Sequence, residues 1–237
     1  MPRTPQVILG AGQQAGHVLR LMEWMGLPWQ DVLLFDDCHP AKNQGALGLP
    51  IHGTLDAGIA LCHQDRLAAM VALGSRVAAV RYATFRKAVD AGIGLYSLIH
   101  PSCVIAPSAK IGVNALLMPG CVISSGSTVG SLCSFFSNVS VEHDCQIGDN
   151  VMMGPGVSLS GSVQVGAHCF LGAGVACTPG VQIDERVLVG AGSVVVSNLP
   201  KDSVCFGVPA RVRREVRAGD DAPTESQLNE LCGRLSS

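Results

Sequence analysis

The stretch FFSNVS VEHDCQ IGDNVM MGPGVS LSGSVQ VGAHCF, residues 135–170, divides into six hexads, each opening on an apolar residue. Followed outward, the same beat runs without a slip of frame from Ile99 to Val195, seventeen sites six residues apart. The site four residues after each of these, from Cys103 to Ser193, is held to small or β-branched residues. A period of six fits neither the 3.6 of a helix nor the 2 of a flat strand, and two inward sites in every six describe a solenoid. Three six-residue sides close a triangular coil of about eighteen residues, with coils stacked roughly 4.8 Å apart. Glycine stands directly after the large inward site at Gly112, Gly130, Gly148, Gly154, Gly166, Gly172 and Gly190. There it is expected to supply the unusual backbone angles of the corners.

The chain has 237 residues and the repeat fills only its second half, which predicts two domains joined near residue 97. These are an α/β domain over 1–96 and a parallel β-helix over 97–216, followed by a polar tail over 217–237. In the tail, Leu228, Leu231 and Leu235 fall on one side of a short amphipathic helix if residues 224–235 coil. A formal net charge of −2, with no basic cluster longer than Arg211, Arg213 and Arg214, argues against nucleic acid or an anionic membrane as partner. No apolar stretch reaches eighteen residues, and the N-terminus runs into the strand-like Gln6-Val7-Ile8-Leu9 without a signal-peptide pattern. These features predict a cytoplasmic protein that handles small molecules. Of ten cysteines, five occupy the small inward site and Cys177 the large one, so they read as packing residues. No Cys-x-x-Cys pair occurs, and the solenoid histidines His100, His143 and His168 lack a metal-ligand spacing, so no metal is expected.

In the first half, Val7-Ile8-Leu9 leads through Gly10-Ala11-Gly12 into an amphipathic helix ending near Gly26. A second strand, Val32 to Phe35, ends at Asp36-Asp37; a third, Ala69 to Leu73, ends at Gly74, and a helix follows to Ala91. The architecture expected for this half is βαβαβ, half of a dinucleotide-binding Rossmann fold. Glycines let backbone approach phosphates at a helix start, and an acidic pair after the second strand can bind a ribose or a base. The spacing is Gly-x-Gly-x-x-x-Gly, so two readings stand: a site for one nucleotide group, and a glycine turn that serves packing.

One titratable group breaks the apolar beat, Glu142-His143-Asp144, flanked by the inward Val141 and Cys145. The histidine therefore faces outward on a clamped backbone. It can take a proton from an attacking amine or hydroxyl, with the adjacent carboxylate fixing its tautomer. An exposed surface histidine is the other reading, and the spacing alone does not separate them.

With these residues in view, the chain resembles the left-handed parallel β-helix acyltransferases that carry the hexapeptide repeat. It is most similar to the branch with an N-terminal nucleotide-sugar-binding domain, the sialic acid O-acetyltransferases and the N-acetyltransferases of nucleotide-linked amino sugars. The marks are Leu98-Ile99-His100-Pro101-Ser102, Val141-Glu142-His143-Asp144-Cys145, the continuous hexads and the closing Gly207-Val208-Pro209-Ala210. The resemblance implies a homotrimer with acetyl-coenzyme A (acetyl-CoA) between neighbouring subunits and a nucleotide-linked amino sugar as acceptor. It implies His143 as general base, Asp144 as the carboxylate behind it, and the Gly161 N–H as donor to the thioester oxygen. Ala173 and Ala191 fall at coenzyme A contacts, and Met152, near the acetyl group, stands where the family often has a histidine. Phe136 stands in place of an asparagine. On the first domain it assigns Gly12, Gln13 and Gln14 to the glycine loop, Asp36 and Asp37 to the base or ribose, and Gly74 to the pyrophosphate side. The loop, Gly12-Gln13-Gln14-Ala15-Gly16, is one residue longer than usual in the family. Transfer to a sugar hydroxyl and a non-catalytic nucleotide-sugar scaffold are the alternatives.

Overall fold

A computed structural model describes residues 6–37 and 44–220. The tail helix expected over 224–235 lies outside these residues.

Three short strands, β1 (Val7–Leu9), β2 (Leu33–Phe35) and β3 (Ala69–Val71), form a parallel sheet in the order β2-β1-β3. Val7, Ile8 and Leu9 pair with Leu33, Leu34 and Phe35 on one side and with Ala69, Met70 and Val71 on the other. All of β1 is buried, as a central parallel strand with both faces covered must be. Helix α1 (Gln13–Trp24) buries Ala15, Val18, Leu19 and Met22, the 3–4 spacing of a single core-facing stripe. Helix α2 (Leu55–Asp65), which the apolar periodicity does not announce, is capped by Thr54, whose side chain accepts from the Ala57 N–H at 3.2 Å. Its inner face is thin because Gly58 sits there: a Cβ would lie 2.7 Å from both Leu9 and Phe35. Helix α3 (Ala78–Asp90) completes the region.

From Leu98 onward the chain winds as a parallel β-helix of two-residue strands on three faces. Face one begins at Leu98–Ile99, face two at Val104–Ile105 and face three at Lys110–Ile111. Each strand pairs with the one eighteen residues on, Val141 with Leu159 and Ile147 with Val165 for example, so the expected coil length is the observed register. The inward sites form one continuous core from Leu117 to Cys205. A hairpin of Ser203–Gly207 and Ala210–Glu215 closes the end of face one.

The expectation for the corner glycines is overturned. Positive φ occurs two residues later, three beyond each large inward site, at every corner from Asn114 to Gly192, and is taken by Asp144, Ser162 and His168 as well as by glycine. Gly112, Gly148, Gly154 and Gly172 serve close stacking instead: a Cβ on each would lie 2.6–2.7 Å from a backbone nitrogen of the next coil.

The inward cysteines do more than fill space. Each of the five at the small site directs its thiol to the carbonyl fifteen residues ahead, from Cys103 to Met118 (3.3 Å) through to Cys169 to Asp184 (3.0 Å).

The α/β region covers the outer side of face one. Leu98, Leu116 and Met118 share a core with Ile8, Val18 and Leu34. Asn114 accepts the Val71 N–H at 2.8 Å and donates to the Val71 carbonyl at 3.1 Å, binding β3 to the first coil. Arg81 of α3, 1% exposed, donates to Asn150 (2.8 Å), to Ser134 (3.0 Å) and to the Leu132 carbonyl. Burial lowers its pKa to about 10, so it stays charged at neutral pH among neutral acceptors. Asn150 also donates to His168 Nδ1 at 3.0 Å, and the Tyr82 ring meets the same imidazole edge-on, with centroids 4.6 Å apart.

Candidate active site

His143 and Asp144 project from the corner between faces two and three. Val141 and Cys145 are fully buried on either side, so the turn can only present 142–144 to solvent. Five contacts to neighbouring coils fix its backbone. The Glu142 N–H donates to Leu159 (3.0 Å), the Asp144 N–H to Ser125 (2.9 Å) and the Ser162 N–H to the His143 carbonyl (2.8 Å). From inside, Ser127 Oγ donates to the Glu142 carbonyl at 2.7 Å and accepts from the Cys145 N–H at 3.0 Å.

The positive φ of Asp144 (59°) swings its carboxylate back onto the imidazole, with Oδ2 2.9 Å from His143 Nδ1. With Nδ1–H donating to the carboxylate, Nε2 carries the free lone pair. Two glycines make room for the pair. A Cβ on Gly126 would lie 2.3 Å from Asp144 Oδ1, and one on Gly161 would lie 2.4 Å from His143 Nε2. The basic nitrogen therefore lies over the Gly161 backbone one coil on. The Gly161 carbonyl accepts from Gly180 (3.0 Å), while its N–H has no partner among the described residues. A proton acceptor beside a free peptide donor can serve an addition to a carbonyl.

A concavity of about 530 Å³ opens at the glycine loop. Ala11, Gly12, Gln13, Gly16, His17 and Arg20 form one wall and residues 44–47 the other. Gly10 brings the loop against β3, since its φ is +126° and a Cβ would lie 2.5 Å from the Ala72 carbonyl oxygen. His17 meets Phe136 of the β-helix edge-on at 5.1 Å, so this cavity abuts the corner between faces one and two. Burial, and then the Arg20 charge, push the His17 pKa below its ordinary value, which keeps it neutral. His17 and Arg20 were missed in the sequence, although Gln13, His17 and Arg20 follow at helical spacing along one side of α1.

The other expected site residues divide. Gly12 and Gln13 line the cavity, but the buried Gln14 donates to Ser134 at 3.1 Å across the interface between the two regions. Asp36 is buried beneath the loop and accepts the Ala11 N–H at 2.7 Å, while Asp37 accepts the Leu55 N–H at 2.9 Å at the start of α2. Gly74 precedes the short turn Ser75–Val77, with open space where a Cβ would stand. Met152 lies on the outer side of face one, 5% exposed, across the prism from His143. Ala173 and Ala191 are exposed on the corner between faces one and two. Face two thus separates them from His143 and Gly161 within one chain. Its outward residues, Val104, Val122, Ser140, Ser158, Ala176 and Val194, carry no charge, whereas face three presents Lys110, Thr128, Gln146, Gln164 and Gln182. Among the described residues no cluster of three metal-ligating side chains occurs, and no helix is long and apolar enough to cross a membrane.

Residues 144–179 match the family model described as bacterial transferase hexapeptide (six repeats), and residues 162–197 that described as hexapeptide repeat of succinyl-transferase. No curated protein sequence matches the chain. Among solved structures, a mutant of GDP-perosamine N-acetyl transferase from Caulobacter crescentus, in complex with CoA and GDP-perosamine, superposes with a TM-score of 0.80. It is 33% identical over 90% of this chain and 98% of that one. PerB from the same organism, in complex with the same two ligands, gives 0.79 and 35% identity over 89% and 98% of the two chains. The acetyltransferase domain of PglB from Neisseria gonorrhoeae, in complex with acetyl coenzyme A, gives 0.78 and 26% over 88% and 98%.

Proposed function

Because this chain belongs to the hexapeptide-repeat family of sugar acetyltransferases, and is an acyltransferase that uses acetyl-CoA, we propose that it acetylates the amino group of a nucleotide-linked amino sugar. The observation that carries the reading is His143 Nε2, freed by the Asp144 contact and lying over the unpartnered Gly161 N–H. The sugar amine attacks the thioester carbon as Nε2 takes its proton. The tetrahedral oxyanion accepts from the Gly161 N–H, a contribution of about 3 kcal/mol for a donor of this kind. Collapse breaks the C–S bond, and the coenzyme A thiolate is then protonated. A protein similar to this one has been crystallised as two variants, one of its histidines changed to alanine in the first and to asparagine in the second, in both cases with CoA and GDP-perosamine.

The half-Rossmann region, residues 1–96, holds the nucleotide in the glycine-loop cavity, with Gly12, Gln13, His17 and Arg20 against it and Asp36 bracing the loop. Gln14, Asp37 and Gly74 stand outside the lining of this cavity. The β-helix, residues 97–216, holds acetyl-CoA. The chain works as a homotrimer joined along the uncharged face two. Threefold packing there sets the Ala173 and Ala191 corner and the sugar cavity of one subunit against His143 and Gly161 of the next, with Met152 in the wall beside face one. His143→Ala should lower turnover at least about a hundredfold with the assembly intact. Acetyl-CoA consumption over a panel of UDP-, GDP- and dTDP-amino sugars beside free sialic acid tests the acceptor. Near-normal turnover without the imidazole, or turnover on sialic acid alone, would overturn the proposal.

A further inference from the structure

At the corner that carries His143, the small inward sites of successive coils are Ala109, Ser127, Cys145, Val163 and Val181. Only two of the five can donate a hydrogen bond, and they lie directly under the two groups the chemistry uses. Ser127 donates to the Glu142 carbonyl (2.7 Å), one peptide before His143, and Cys145 donates to the Ser160 carbonyl (3.2 Å), one peptide before Gly161. The coil does not need such a bond, since Ala109, Val163 and Val181 fill the same site without one.

A trans peptide is planar, so its C=O and the following N–H point in opposite directions. A carbonyl held inward therefore turns the next N–H outward. For Cys145 that N–H belongs to Gly161. With the peptide reversed, a carbonyl oxygen would face the thioester oxygen and repel the charge that develops there. Resting on the roles proposed above for His143 and Gly161, we infer that Ser127 and Cys145 are positioning residues acting from inside the prism. Ser127 holds the peptide from which the base projects, and Cys145 keeps the oxyanion donor aimed at the substrate. Neither touches substrate.

The test compares Cys145→Val, Cys145→Ser, Ser127→Ala and Ser127→Cys in the full-length protein. Cys169→Val serves as control, because Cys169 makes the same kind of bond to the Asp184 carbonyl (3.0 Å) at a corner away from His143. Valine and alanine already fill this inward site elsewhere, so all five variants should fold. Cys145→Val and Ser127→Ala should each lower kcat roughly three- to tenfold, the worth of one such bond, with KM for acetyl-CoA within about twofold. Cys145→Ser and Ser127→Cys, which keep a donor, should recover most of the loss, and Cys169→Val should show none. The infrared carbonyl stretch of bound acetyl-CoA, recorded without acceptor, should move toward its free value in Cys145→Val and stay in place in Ser127→Ala. That readout needs no base, so it reports on Cys145 even if His143→Ala were to retain turnover and the underlying assignment fell. An unmoved stretch together with unchanged kcat in Cys145→Val would overturn the inference, as would an equal loss in Cys169→Val.

Discussion

Replacing Gly161 by alanine probes the site with one methyl group and leaves the peptide N–H in place. The new Cβ would lie 2.4 Å from His143 Nε2, 2.6 Å from Cε1 and 3.0 Å from Cδ2. Carbon and nitrogen rest about 3.5–4.0 Å apart, so the imidazole must withdraw by more than about 1 Å. It can do so because its side chain is 60% exposed, but the withdrawal strains the 2.9 Å contact to Asp144 and takes Nε2 away from the attacking amine. A misplacement of that size in a reacting group costs on the order of a hundredfold. Steady-state kcat with acetyl-CoA and an amino-sugar nucleotide should fall by that factor while the melting temperature holds. A double-mutant cycle isolates the cause: in a His143→Ala background the same methyl has nothing to displace and should be nearly silent. If Gly161→Ala keeps kcat within about twofold of the parent, or costs as much without the imidazole as with it, the packing of base over glycine is not what the reaction uses.

Mixed subunits test the shared site: His143→Ala chains combined with chains whose sugar cavity is filled by Gly16→Phe should regain activity that neither has alone, measured by acetyl-CoA consumption. Failure to regain it places the base and the cavity in one subunit. His168 should make the junction of the two regions acid-sensitive. Burial, then Arg186, lower its pKa to about 4 against an ordinary 6.5, so the unfolded chain binds its proton first as pH falls. Its stabilising contribution is complete above pH 6.5 and is lost as pH drops toward about 4, amounting to at most about 3 kcal/mol. Melting temperature against pH should show that slope, and His168→Gln should flatten it. Arg81→Ala should destabilise by about 3 kcal/mol in urea, since it leaves a cavity and strands Asn150 Oδ1 and the Leu132 carbonyl.

The hexads made the coil, its inward sites and its eighteen-residue register legible, and with them the outward placing of His143 and the position of Gly161 one coil on. Elements whose residues answer to a neighbour rather than to their own period were not legible. Helix α2 lacks a full apolar stripe because Leu9 and Phe35 leave no room for a side chain at Gly58. The corner position of Gly112, Gly148, Gly154 and Gly172 suggests a need for backbone angle, whereas the nitrogen of the next coil explains them. Gln14 and Asp37 look like ligand residues by position, yet one donates to Ser134 and the other receives the first turn of α2.

What the sequence determined alone is periodic: which residue of each six faces inward follows from the need to bury an apolar site on every side of every coil, and that need is local and repeated. What the tertiary structure decided is lateral. The imidazole over Gly161, the carbonyls held by Ser127 and Cys145, the cavity lined by His17 and Arg20, and the separation of Ala173 and Ala191 from His143 by face two all join residues of different coils or regions. Contacts of that kind depend on what arrives from the neighbouring turn, which no spacing along a single turn encodes.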